Sequence, residues 1–247
     1  MTRRPRDDEP GACHHVINRG IAKRPLFEKR EDGRYFLSRV AREVRDGSIE
    51  VLAYTVMTTH FHAMVVSPTA GLSGAFRRIE NAYVRRFNRL RRRDGPLVRG
   101  RFWSRRVRSE AYRRTLVAYI DRNAAAARIV RHGGAYPLGS AFLYLRLKGP
   151  RWLARDWVES VVCRVSGAPA YAPDLYPRVF GQGVTEGQLR WIEELIERGG
   201  RDVPDLDALI REPPAAVAAW FDRKARLADG LPRSILVDVQ SVDEAVA

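Results

Sequence analysis

His60-Phe61-His62 carries the first chemical signal in the chain. In an extended segment successive side chains point to opposite faces, so His60 and His62 share one face and Phe61 points to the other. Two imidazoles at that spacing can hold one metal ion while the phenylalanine enters a core; the same pattern also suits an ordinary polar sheet face. A second signal lies in residues 112–123, YRRTLVAYIDRN. At about 100° per residue, Tyr112, Leu116, Tyr119 and Asn123 fall along one side of a helix. Tyr119 and Asn123 are one turn apart and address the same point. A phenol beside a carboxamide suits a nucleophile next to a metal ligand, or a buried tyrosine near a helix end. Tyr83 and Tyr112 are rival nucleophiles, and His14, His15 and His132 read as structural or surface groups.

The elements that must position these groups follow from periodicity. His14 to Asn18 is short and β-prone, with Arg19-Gly20 as a turn. Phe36, Leu37, Val40, Ala41 and Val44 have the spacing of an amphipathic helix over residues 32–45, ended by Asp46-Gly47. Residues 49–57 and 60–66 read as two strands joined by Thr58-Thr59, a hairpin without favoured turn chemistry. Leu72, Ala75, Phe76, Ile79, Tyr83, Phe87 and Leu90 form a helical stripe with arginines on the other faces. Residues 101–107 alternate as a strand, and Ser109 is the expected N-cap of a helix running to about Val130. The order strand, helix, strand, strand, helix, strand matches a ferredoxin-like split βαβ pattern. It predicts an α+β fold with an antiparallel sheet and helices on one face.

Residues 1–12 are expected to be a flexible tail and residues 13–145 the α+β domain, which the family resemblance given below implies is catalytic. Residues 146–247 are expected to form a C-terminal helical domain of unknown role, with helices at 153–165, 186–198 and 215–227.

The chain has 247 residues, 44 Lys and Arg against 29 Asp and Glu, and a formal net charge of +15. That balance argues for a polyanionic partner. Residues 77–114 hold 15 arginines against Glu80, Asp94 and Glu110, whereas residues 201–247 hold six basic and nine acidic side chains. Arginine binds phosphate through a planar fork and stacks on bases. Arg77, Arg78, Arg85, Arg86, Arg101, Arg105, Arg106 and Arg108, with Trp103 as a stacking platform, are the candidate set for such a partner, which the family resemblance given below implies is DNA. Cys13 and Cys163 form neither a disulfide framework nor a zinc cluster. The N-terminus lacks the apolar stretch of a signal peptide, and no apolar run approaches the roughly 20 residues that span a bilayer. A cytoplasmic, nucleoid-associated protein is expected.

Five pieces in order resemble the single-tyrosine HUH transposases, and particularly the REP-associated tyrosine transposases. They are residues 15–20 (HVINRG), residues 53–62 with MTTHFH at their end, residues 100–104 (GRFWS), residues 119–123 (YIDRN) and Tyr136-Pro137. The resemblance places the HUH motif on His60, Phe61 and His62, the nucleophile on Tyr119 and the third metal ligand on Asn123. It implies Mg²⁺ or Mn²⁺, a single-stranded or hairpin DNA substrate, and a monomer or homodimer. The implied reaction, used in DNA transposition and recombination, cuts and rejoins DNA through a 5′-phosphotyrosine link. Two positions depart from the family pattern. Thr58-Thr59 replaces Pro-Asn and is expected to loosen the hairpin. Asn123-Ala124 replaces Asn-Pro and lets the helix run on to Ala127. The departures keep two alternatives open: a silent nucleic-acid-binding module, and a metal-dependent nuclease that uses water.

Overall fold

The computed structural model of the chain describes residues 6–181 and 184–197. Strand β1 (Ala12–Arg19) is followed by α1 (Arg30–Arg45), β2 (Glu50–Val56), β3 (His60–Ser67), α2 (Leu72–Leu90), β4 (Trp103–Arg106) and α3 (Glu110–Ala126). The four strands form one antiparallel sheet in the order β2-β3-β1-β4. This is the expected α+β arrangement, with β1 and β3 central.

The pairing of β1 with β3 sorts the side chains. Ile17 stands opposite His62, His15 opposite Met64 and Arg19 opposite His60, so all six share one face. Phe61, Ala63 and Val65 share the other. Against that second face lie α1 and α2: Phe61 meets Phe36 at 4.7 Å and Phe76 at 6.1 Å between ring centroids. The stripe predicted for α2 is buried from Leu72 to Phe87, but Leu90 is 55% exposed where the helix runs out beyond the sheet. Helix α1 has Glu31 and Asp32 in its first turn, and Asp32 Oδ2 accepts from the Glu28 and Lys29 amides at 3.1 and 3.0 Å.

Helix α3 lies on the first face, against β2 and β3. The expectation of helices on one face therefore describes α1 and α2 only. Ser109 caps α3 by accepting from the Tyr112 amide at 3.1 Å, as predicted. The helix stops at Ala126, short of Val130, and Arg128 turns left-handed at φ 59°.

Beyond α3 come α4 (Ala141–Tyr144), α5 (Asp156–Ser166), α6 (Tyr176–Phe180) and α7 (Glu186–Glu197). Residues 138–154 cover the outer edge of β2. The Tyr54 carbonyl accepts from Ser140, the Val51 carbonyl from Ala154, and the Leu138 carbonyl from Val56, at 2.8, 2.8 and 3.0 Å. An edge strand left bare would template foreign pairing. Leu153, Val158, Val161, Val162, Tyr176, Phe180, Trp191 and Ile192 belong to the same apolar core as the sheet. The core is thus continuous across the boundary expected at 145/146. The helix expected at 215–227 lies outside the described residues.

The expected tail begins β1 at Ala12, and residues 6–9 are pinned. Asp7 pairs with Arg106 and Arg108, and Glu9 with Arg106. Asp8 receives the Leu72 amide at the start of α2. Arg6 lies over the Phe102 ring at 3.7 Å.

Candidate active site

The site grows from the turn between β2 and β3. The Met57 amide donates to the His60 carbonyl at 2.8 Å, closing a loop of only Thr58 and Thr59. Neither threonine is a turn former, yet the loop is held from outside. Thr58 O accepts the amides of Leu26 and Phe27 at 2.7 and 2.9 Å, and Thr59 O accepts that of Gly20 at 2.8 Å. Neighbouring backbone therefore replaces the missing turn chemistry, and the hairpin is not loosened. Thr59 adds a contact of its own: its Oγ1 lies 2.9 Å from His60 Nδ1.

His60 and His62 project side by side, ring centroids 5.0 Å apart and nearly perpendicular. From the facing helix Tyr119 brings its ring edge-on to His62, at 5.2 Å. Asn123, one turn later, donates Nδ2 to the Tyr119 carbonyl at 2.8 Å. This bond uses one of the two amide hydrogens and turns the amide oxygen away from the Tyr119 carbonyl. The Asn123 side chain also hydrogen-bonds His60 and bears on the Tyr119 phenol. The four residues singled out by spacing thus converge between two elements far apart in the chain.

Sequence reasoning set aside His15, and it belongs here. It is fully buried, stacks on His62 at 5.4 Å and 22°, and places Nε2 3.1 Å from His62 Nδ1. Trp103 and Tyr119 box its ring edge-on at 5.3 and 6.1 Å. Two signals could have found it: its place at the head of the HVINRG piece, and the β1–β3 register, which no single strand encodes. Arg19, also on this face, stands cross-strand from His60. Glu193 of α7 contributes a carboxylate to the field around Tyr119.

Burial dominates the electrostatics. It lowers His15 to about 3, His60 to about 4, and His62 well below the usual imidazole range, with the neighbouring His60 and His15 adding to the last. Hydrogen bonding with Asn123 partly offsets the fall for His60. All three imidazoles are neutral at pH 7, the form that ligates a metal. Burial, with Glu193 second, pushes the Tyr119 phenol up, and Asn123 pulls it back. Among the described residues no three His, Cys, Asp or Glu side chains form a metal cluster. Any ion here would take two neutral imidazoles and the Asn123 amide oxygen, a donor set that fits a divalent cation with positions left for water and phosphate.

The expected DNA-binding residues separate into groups. Trp103 and Arg105 stand cross-strand from Ile17 and His15, on the site face. Arg77, Arg78, Arg85 and Arg86 ride on α2, behind the sheet. Arg78 is bound to Glu43 at 2.6 Å, and Arg86 lies over Tyr35 at 4.4 Å. Arg106 and Arg108 are paired with the acidic residues of the N-terminal segment, while Arg101 is exposed beside β4. The rival tyrosines are accounted for differently. Tyr83 is buried among Phe27, Phe36 and Phe87 and donates to the Leu26 carbonyl on the far side of the sheet. Tyr112 packs edge-on to Trp191 at 5.2 Å. His14 pairs with Asp8 at 3.1 Å, and His132 is exposed.

The molecule is thus an α+β protein whose antiparallel sheet presents a His-x-His pair to a helical tyrosine. A solved structure of a REP-associated tyrosine transposase bound to a REP hairpin has a similar fold. The TM-score is 0.52 at 16% identity, covering 63% of this chain and 98% of that chain. No family model and no curated protein matches the chain. Among the described residues no helix is long and apolar enough to cross a membrane.

Proposed function

We propose that the chain is a metal-assisted DNA transesterase that cuts and rejoins single-stranded, hairpin-containing DNA through Tyr119. The observation that carries this reading is the convergence of Tyr119 and Asn123 with His60 and His62 across the sheet-helix boundary. The similar fold of a transposase solved on a DNA hairpin, and a net charge of +15, support it. His60, His62 and Asn123 would hold Mg²⁺ or Mn²⁺. When bound, the ion supplies positive charge that shields phosphate oxygens and favours the phenolate.

The protein's own groups do the rest. Arg19 and Arg105, both on the site face, are placed to meet the phosphodiester. Tyr119 Oη bonds to phosphorus as the bond from phosphorus to the 3′ oxygen breaks. The leaving oxygen takes a proton and becomes a 3′ hydroxyl, and the 5′ phosphate stays on the tyrosine. Attack by a 3′ hydroxyl on that link reverses the step, so rejoining needs no nucleotide cofactor. Soluble chain is expected in the cytoplasm, at the nucleoid.

The test incubates the chain with a single-stranded oligonucleotide carrying a hairpin, in Mn²⁺. A covalent protein–DNA adduct that vanishes in Tyr119→Phe is expected. An adduct that survives Tyr119→Phe refutes the assignment of the nucleophile. A second reading, a silent module that holds hairpin DNA, is favoured by one observation: Tyr119 is 6% exposed. It predicts tight hairpin binding with no adduct in any divalent metal.

A further inference from the structure

We infer that His15 and Thr59 are positioning residues that fix which nitrogen of each site histidine faces the tyrosine helix. The inference rests on the metal-binding reading of His60, His62 and Asn123. Its basis is a symmetry of contacts. Each histidine has its Nδ1 engaged by a group outside the expected ligand set: His62 by His15 Nε2 at 3.1 Å, His60 by Thr59 Oγ1 at 2.9 Å. In His62, Nε2 is the nitrogen left over; the further side-chain partner of His60 is Asn123, itself one of the expected ligands.

Proton accounting gives these contacts a function. A neutral imidazole carries one hydrogen, and the nitrogen without it has the lone pair that binds a metal. If His62 donates from Nδ1 to His15, its Nε2 is open to a ligand. His15 must then carry its hydrogen on Nδ1. If His15 donates from Nε2 instead, the hydrogen of His62 moves to Nε2 and the ligand position closes. Only the first arrangement is compatible with an ion on His62 Nε2. Its cost is visible: His15 Nδ1 is buried and has no hydrogen-bond partner. An unpaired N–H in a core is unfavourable, and bonding at His62 Nε2 offsets it. The stacking of His15 on His62, and the Trp103 and Tyr119 edges around it, prevent the ring from turning away. Thr59 performs the simpler version of the task, since a hydroxyl rotates to accept from Nδ1. This also explains how the chain tolerates Thr58-Thr59 before its first histidine.

The test uses the full chain and reads Mn²⁺ affinity from the signal of free Mn²⁺ in electron paramagnetic resonance. Loss of an outer-shell partner of a ligating histidine weakens metal binding by roughly 10- to 100-fold. His15→Leu and Thr59→Val are expected to show that loss. His15→Gln, which keeps an acceptor, and Thr59→Ser, which keeps the hydroxyl, are expected to recover most of it. In metal-free His15→Leu the unpaired His15 Nδ1 is gone but His62 Nδ1 loses its partner, so the melting temperature should stay near that of the parent while Mn²⁺ affinity falls; a purely structural residue would lower the melting temperature and leave affinity unchanged. A measurement without variants uses ¹⁵N resonances of the Mg²⁺-saturated chain, in which His15 and His62 should both carry hydrogen on Nδ1. Parent-like Mn²⁺ affinity in His15→Leu and Thr59→Val, or His15 protonated on Nε2 in saturating Mg²⁺, overturns the inference alone. A parent chain that binds no Mn²⁺ overturns the metal reading and the inference with it.

Discussion

Asp121 lies on α3 between Tyr119 and Asn123, turned away from both toward α6. Its Oδ2 accepts the Tyr176 hydroxyl at 2.6 Å, while Oδ1 is buried without a hydrogen-bond partner. Burial raises its pKa from 3.8 to about 7, and the Tyr176 hydrogen bond opposes part of that rise. The native chain therefore holds a proton on Asp121 up to about pH 7, whereas the unfolded chain loses it near 3.8. Between those values the native state binds one more proton, so stability falls as pH rises and levels off above 7. From pH 5 to pH 7, at up to about 1.36 kcal/mol per pH unit and less as the native group itself titrates near 7, the fall due to Asp121 is ~2 kcal/mol. Asp121→Asn removes this titration. The stability of Asp121→Asn relative to the parent should then rise by ~3 kcal/mol between pH 5 and pH 8. In a chain of this size that corresponds to a relative gain in Tm of roughly 6–12 °C. Thermal unfolding by circular dichroism across that range, in matched salt, measures it. Glu80 is also raised to about 7 by burial, but it is common to both chains and cancels in the difference. Parallel pH profiles for the two proteins would refute the claim that α3 is seated on a protonated carboxyl.

Other perturbations separate the site from its scaffold. Arg105→Ala should weaken binding to single-stranded DNA and lower the salt slope of log affinity by about 0.7, measured by fluorescence anisotropy at several salt concentrations. Arg78→Ala, whose guanidinium is committed to Glu43, should leave that slope unchanged. Tyr83→Phe removes only the hydroxyl donated to Leu26 and should cost about 1 kcal/mol in urea unfolding, with full adduct formation. Phe61→Ala, deleting the ring between Phe36 and Phe76, should destabilise by about 3–5 kcal/mol in the same assay.

Local rules made much of this legible in the sequence. The period of Leu72, Phe76, Ile79, Tyr83 and Phe87 marks α2 and its buried face, and the alternation at His60-Phe61-His62 correctly divides the two sides of β3. Spacing also places Tyr119 and Asn123 on one helix face. Whatever depends on pairing between distant segments was not legible. His15 reaches His62 only through the β1–β3 register. The Thr58-Thr59 turn is stable because amides of residues 20, 26 and 27 reach its carbonyls. Residues 6–9 resemble a solvated tail until Arg106 and Arg108 meet Asp7 and Glu9. The arginines of α2 look continuous with those of β4 along the chain, yet the sheet stands between them and the site.

The most direct test of the central claim is to map the covalent bond. The full chain is incubated in Mn²⁺ with hairpin DNA labelled at either end, digested, and its peptides sequenced by mass spectrometry. The account predicts a nucleotide joined through its 5′ phosphate to Tyr119, with a free 3′ hydroxyl on the released strand. A link to Tyr112 or Tyr83, or cleavage that leaves free 5′ phosphates and no peptide adduct, would contradict it.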